Sequence, residues 1–255
     1  MQQPGEDRIE ELDLLNLSQS DPADQREDKA ETLRLVRQRG VSTRPVQPRH
    51  SLHCCGGAWS LLRVPPCLPA ECLTLCLLQV RRMTNVHCRI DPDWALDVLR
   101  SAAPTLEELE MWHASEAHVA AVHGMPRLQR LELNALRGQR PVELPALPWP
   151  SCLKWLRVQY LPRATTVSLL RAHATSLDVL WLQVYSEPRG KWPYGCADLD
   201  ALLGQCGLRL TRLVLWRFLE PHGSSCRAQR EAARRVLPGC TVQCDNCNRV
   251  PPTYI

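Results

Sequence analysis

Residues 105–136 read TLEELEMWHASEAHVAAVHGMPRLQRLELNAL. The pattern L-x-x-L-x-L occurs twice in them, as Leu106, Leu109, Met111 and as Leu128, Leu131, Leu133, and the two starts are 22 residues apart. Between the copies lies a short run of helical composition that stops at Gly124 and Pro126. Side chains alternate across a strand, so each copy sends its leucines to one face and the residues between them to the other. A strand, a helix and a second strand at one period cannot bury an apolar face alone. Such units must stack, and stacking predicts further copies.

The copies are present. They run through Leu153, Leu156, Val158, then Leu177, Leu180, Leu182, then Leu210, Leu213, Leu215, with a weaker one at Leu237, Cys240, Val242. The starts 106, 128, 153, 177, 210 and 237 are separated by 22, 25, 24, 33 and 27 residues. Most of these intervals match the roughly 20–29 residues of a leucine-rich unit, and the long one holds an insertion, assigned to SEPRGKWPYGC at 186–196. Over about residues 75–245 the chain resembles the leucine-rich repeat family in its helix-bearing cytosolic form, and more loosely the degenerate repeats of F-box/leucine-rich-repeat proteins. The resemblance implies an α/β solenoid, with a curved parallel sheet on the concave side and helices on the convex side. At the turn position, where the family carries Asn or Cys, this chain has Ala114, Leu136, Leu161, Tyr185 and Phe218, so irregular turns are expected.

The expected organisation is an irregular N-terminal segment at 1–58, a solenoid at 59–245 and a C-terminal tail at 246–255. The first segment contains a repeat match at Ile9, Leu12 and Leu14, then an acidic stretch, then a loop at 41–58 rich in Pro, Gly and Cys. A poor match follows at Trp59, Leu62 and Val64, and the register up to Arg89 stays open between Leu75, Leu78, Val80 and a second reading that starts at Val80. Beyond it, Asp91 is an N-cap candidate with Pro92 in the first turn of a helix. Further helices are expected at 115–123, 165–173, 197–205 and 224–236.

Alternation turns Glu108, Glu110 and Trp112 to the concave face, followed by Arg130 and Glu132 with Asn134, Trp155 and Arg157 with Gln159, Trp181 with Val179 and Gln183, and Arg212 and Trp216 with Val214. Four of the eight tryptophans fall there. Trp and Arg dominate the energetics of protein interfaces, because they combine large area with a polar handle. These ten charged and Trp positions are therefore the candidate protein-binding residues. A register slip of one residue would instead send the tryptophans into the core.

Catalytic chemistry is not expected: the chain has no phosphate-binding glycine loop, no G-x-S-x-G elbow and no H-E-x-x-H. The only metal-like spacing is Cys240, Cys244 and Cys247, with His222 or Cys226 to complete a zinc set. No second matched pair accompanies it, so the weight falls on no metal and no cofactor, with Cys240 and Val242 facing inward and 245–249 forming a turn. His113, His118 and His123 lie around one helix without ligand spacing and read as surface or packing residues. Thirteen cysteines, odd in number and scattered, read as reduced thiols.

Residues 1–31 hold 10 acidic and 3 basic side chains, which leaves +11 on the remainder of a chain whose net charge is +4. The arginines are dispersed and form no run, which disfavours a nucleic-acid partner. Neither a secretory leader nor an apolar run of membrane-spanning length is visible, so a cytoplasmic or nuclear protein is expected. The resemblance further implies substrate recognition for an SCF-type ubiquitin ligase, with a Skp-type adaptor and a cullin as partners. LPAECLTLCLL at 68–78, with Trp94 downstream, echoes an F-box only faintly. A basic nucleic-acid-associated protein or a zinc-binding module is the competing reading.

Overall fold

The computed structural model describes residues 11–13, 80–185, 191–217 and 224–251. They form an α/β structure around one eight-stranded sheet in the order β1 to β8, in which every pair is parallel. The strands are β1 Glu11–Asp13, β2 Arg82–His87, β3 Glu108–Ala114, β4 Arg130–Ala135, β5 Trp155–Gln159, β6 Val179–Gln183, β7 Arg212–Trp216 and β8 Thr241–Cys244. The helices are α1 Pro92–Ala102, α2 Glu116–His123, α3 Arg163–Ala172, α4 Leu199–Gly204 and α5 Ser224–Val236. No helix among the described residues is long and apolar enough to cross a membrane.

Each strand pairs with its neighbour in sequence at one fixed register. Leu109 stands opposite Leu131, Leu131 opposite Leu156, Leu156 opposite Leu180, and Leu180 opposite Leu213. The register is set just before each strand, where one carbonyl accepts two successive N–H groups of the next unit. Glu107 O takes Gln129 N at 2.8 Å and Arg130 N at 3.0 Å, Gln129 O takes Lys154 and Trp155, and Lys154 O takes Asp178 and Val179. The template leucines from Leu106 to Leu215 are buried in one cluster with Val98 and Leu99 of α1, Val119 and Val122 of α2, Leu169 and Leu170 of α3, and Leu199, Leu202 and Leu203 of α4. All these helices therefore cover the same face of the sheet.

Local chemistry explains the helix boundaries. Asp91 caps α1 by accepting from Trp94 N at 3.1 Å, and Pro92 opens the helix. Ser115 and His118 cap α2 reciprocally, and His118 also reaches the Pro92 carbonyl at 3.0 Å, so this buried imidazole ties α2 to the start of α1. The connection from β4 to β5 has no helix. Its extended backbone is satisfied by side chains of α3: Val142 N donates to Thr165 Oγ1 and Leu144 N to Ser168 Oγ, both at 2.8 Å. His123 and His173 meet edge to face across this connection, 5.2 Å between ring centres, and His123 Nε2 lies 2.8 Å from the Pro145 carbonyl.

Of the two registers open before residue 90, the structure takes the later one. Val80 and Met83 are buried, and β2 bulges between Met83 and Val86, where Asn85 adopts a φ of 56°. The bulge hides the regular spacing in the sequence. The expected matches at Trp59, Leu62, Val64 and at Leu75, Leu78, and the 41–58 loop, lie outside the described residues, as do residues 186–190 of the insertion. Its remainder packs down, with Trp192 Nε1 donating to the Leu161 carbonyl at 2.7 Å and Tyr194 stacked on Tyr185. The tail expected from 246 includes Val250, which is buried against the sheet.

Leu180, fully buried at the middle of the template column, is the sharpest probe of this core. Leu180→Ala is expected to lower unfolding free energy by about 2–5 kcal/mol. Trp149→Ala, at an exposed position, should stay within about 0.5 kcal/mol of the parent. Urea denaturation of both variants tests the assignment.

Candidate functional site

The face of the sheet away from the helices carries three rows of side chains, aligned by the strand register. The first row runs Arg82, Glu108, Arg130, Trp155, Val179, Arg212 and Thr241. The second runs Glu110, Glu132, Arg157, Trp181, Val214 and Gln243. The third contains His87, Trp112, Asn134 and Gln159, with Gln183 paired to Trp216 farther along. All ten candidate residues lie on this face, and their exposure divides them. Glu110, Glu132, Trp155, Arg157 and Trp181 are buried, whereas Glu108, Trp112, Arg130, Arg212 and Trp216 are half-buried.

The buried middle row is built around one ion pair. Arg157 Nη1 lies 3.2 Å from Glu132 Oε1, and both side chains are almost entirely enclosed. The Arg157 guanidinium also sits 3.8 Å from the Trp216 ring centre and 5.5 Å from that of Trp181. A planar, weakly hydrated cation suits this place between indoles better than an ammonium would. One strand earlier, Arg130 lies 4.9 Å over Trp155. Burial pushes the Glu132 carboxyl up to about 7, against the opposing pull of Arg157 and with Glu110 adding repulsion. Glu110 accepts from Trp112 Nε1 at 2.9 Å, which orients that half-buried indole.

Two features of the face were not visible in the sequence. Asn134 Nδ2 donates to Gln159 Oε1 at 3.3 Å, and Gln183 accepts from Tyr160 N at 2.9 Å while donating to the Tyr185 hydroxyl at 3.2 Å. These amides hold turns in which Tyr160, like His113, has a φ of 56°. The irregularity expected there is present, and side chains from the third row stabilise it. Val250 is the second feature: returning from the turn after β8, it packs with Trp155, Trp181 and Val214. Only the alternation at 155, 181 and 214 pointed to this cluster, and nothing in the sequence pointed to its cover.

The cysteines divide differently from their spacing. Cys240 packs against the helix-side core, as the inward-facing alternative required. It does not join Cys244, because strand residues rise about 3.3 Å each and four of them separate the two thiols by roughly 13 Å. The group that does converge is Cys226 from α5 with Cys244 and Cys247, whose sulfur atoms all lie within 4.8 Å of one another. His222 lies outside the described residues. His113, His118 and His123 do not converge on a common point among the described contacts, and His118 and His123 serve packing and capping. No family model matches the chain, and no curated protein or solved structure matches it.

Two ionisations oppose each other in the acid range. Glu132 has a folded pKa above its unfolded value, so the native state binds that proton more tightly, and stability falls as pH rises from about 4.5 to 7. His173, whose burial lowers it to about 4, acts in reverse: stability falls as pH drops below about 6.5. Glu132→Gln should therefore leave a steeper loss of stability on acidification than the parent shows, and His173→Asn a shallower one. Chemical denaturation between about pH 4.5 and 7 reads both slopes, and slopes equal to the parent's would contradict the assignment. Arg157→Leu, which strands Glu132, should cost about 3–5 kcal/mol, part of which is recovered by adding Glu132→Leu.

Proposed function

We propose that the chain is a leucine-rich repeat solenoid that recognises a protein partner, without catalysis, through the sheet face opposite the helices. The carrying observation is the three-row arrangement, in which half-buried Glu108, Trp112, Arg130, Arg212 and Trp216 flank a buried row centred on Glu132 and Arg157. The buried row holds the flanking side chains in place and contributes little contact of its own. The flanking residues combine carboxylate, guanidinium and indole at fixed strand spacing, the chemistry most used at interface hot spots. Carboxylates concentrate at β3 and β4, and the Arg and Trp side chains extend toward β7. An extended segment with basic residues at one end and acidic or apolar residues at the other would complement it.

The more specific form is substrate recognition within an SCF-type ubiquitin ligase, with a Skp-type adaptor and a cullin as partners, in the cytoplasm or nucleus. It rests on the sequence resemblance alone, and the F-box-like stretch at 68–78 lies outside the described residues. A nucleic-acid partner is disfavoured by the arginines themselves, since Arg157 is spent on Glu132 and two indoles and Arg212 Nε donates to Gln243 at 2.9 Å.

Affinity capture with the tagged full-length chain tests both levels. Glu108→Arg and Arg212→Glu alter half-buried positions and are expected to keep the parent's thermal midpoint while reducing partner recovery about tenfold, the effect of ~1.4 kcal/mol. Undiminished recovery with both variants would remove this face as the binding surface. Co-capture of a Skp-type adaptor with a cullin would support the ligase form, and partners that depend on Glu108 and Arg212 without an adaptor would indicate a stand-alone binding scaffold.

A further inference from the structure

Three thiols meet at the C-terminal end of the sheet. Cys244 closes β8, Cys247 lies three residues on in the following turn, and Cys226 lies in the first turn of α5. Cys226 Sγ and Cys247 Sγ are 3.8 Å apart. Thiolates held about 2.3 Å from a tetrahedral zinc ion stand roughly 3.8 Å from each other, whereas a disulfide requires about 2.05 Å. We propose that Cys226, Cys244 and Cys247 bind one zinc ion as thiolates, with solvent as the fourth ligand.

The C-x-x-C turn that carries two of the thiols is closed on itself. Asn248 Oδ1 accepts from Cys244 N at 2.9 Å, and Asn248 N donates to Cys244 O at 3.0 Å, which keeps that turn closed. Cys226 sits at the N-terminal end of a 13-residue helix, where the free amides and the helix dipole favour an anion.

Arg217 gives an independent indication. Its side chain is 1% exposed and stands beside the cluster, where its charge acts on Cys244. The guanidinium donates to the Val184 carbonyl through Nε and to Gln229 through Nη2, while Nη1 has no hydrogen-bond partner among the described residues. No carboxylate forms an ion pair with it there; Asp245 instead accepts from the Arg217 backbone N–H at 3.1 and 3.2 Å. A buried cation requires compensation. Zinc with three thiolates carries one net negative charge, which supplies it. On binding, three Zn–S bonds form, three S–H bonds break and the protons pass to buffer, including the one that Cys244 directs at Asp245 Oδ1 at 3.6 Å.

Such a site would tie α5 to the last strand. The test uses the full-length chain purified under reducing conditions without chelator. Elemental analysis should find one zinc per chain, and cobalt(II) added to the metal-free protein should give thiolate charge-transfer bands with the intense visible bands of tetrahedral coordination. Cys226→Ser, Cys244→Ser and Cys247→Ser should each lose or strongly diminish the signal, while Cys240→Ser, near in sequence but distant in space, should retain it. Circular dichroism checks that each variant is folded. The cobalt result on the parent stands whether or not a variant folds. Absence of stoichiometric metal and of thiolate bands in the folded parent overturns the proposal. So does an intact mass two hydrogens light with Cys226 linked to Cys247, or loss of the bands in a folded Cys240→Ser variant.

Discussion

The shared carbonyl at the start of each strand is the constraint from which the rest of this structure follows. By accepting two consecutive N–H groups, Glu107, Gln129 and Lys154 fix where the next strand begins relative to the last. A slip of a single residue would exchange the two faces of the sheet. With the register held, every template leucine reaches the helix-side core and every intervening residue reaches the opposite face. The hydrophobic layer and the polar rows are two outcomes of one hydrogen-bonding pattern.

Much of that arrangement was readable in the sequence, because it depends on local periodicity. The spacing of Leu131 and Leu133 or of Leu180 and Leu182 specifies an inward pair whatever the distant chain does, and the Asp91–Pro92 pair announces a helix start through its own cap. What was hidden depends on residues far apart. The bulge at Asn85 breaks the period in β2. The stretch from 137 to 152 shows no pattern, and its backbone N–H groups at Val142 and Leu144 are satisfied by Thr165 and Ser168 from another element. Alternation placed Trp155 and Trp181 on the polar-row face, but it could not say that Val250 would lie over them. Spacing likewise put Cys240 with Cys244 and Cys247 and offered Cys226 or His222 as a fourth; three dimensions bring Cys226 to Cys244 and Cys247 and leave Cys240 out.

The polar-row face runs against the usual economy of a sheet surface. Glu132 and Arg157 are withdrawn from water in a position where two leucines would satisfy burial with less strain on solvation. What the ion pair adds is direction: a guanidinium held by a carboxylate can stand between Trp181 and Trp216 in one orientation, and an aliphatic chain would leave those indoles free to repack. The pair thus exchanges solvation for a fixed placement of the guanidinium beside the two indoles.

The connection without a helix between β4 and β5 divides the layer that covers the sheet. Strand pairing is continuous from β1 to β8, but the helical layer is interrupted between α2 and α3, where an extended strap and the edge-on contact of His123 with His173 take its place. At this seam β3 and β4, which carry Glu108, Glu110 and Glu132, adjoin the strands from β5 onward, which carry Arg157, Trp181, Arg212 and Trp216. The Glu132–Arg157 pair spans the same seam, so a buried ion pair joins the two strands on one face where the strap, and not a helix, connects them on the other.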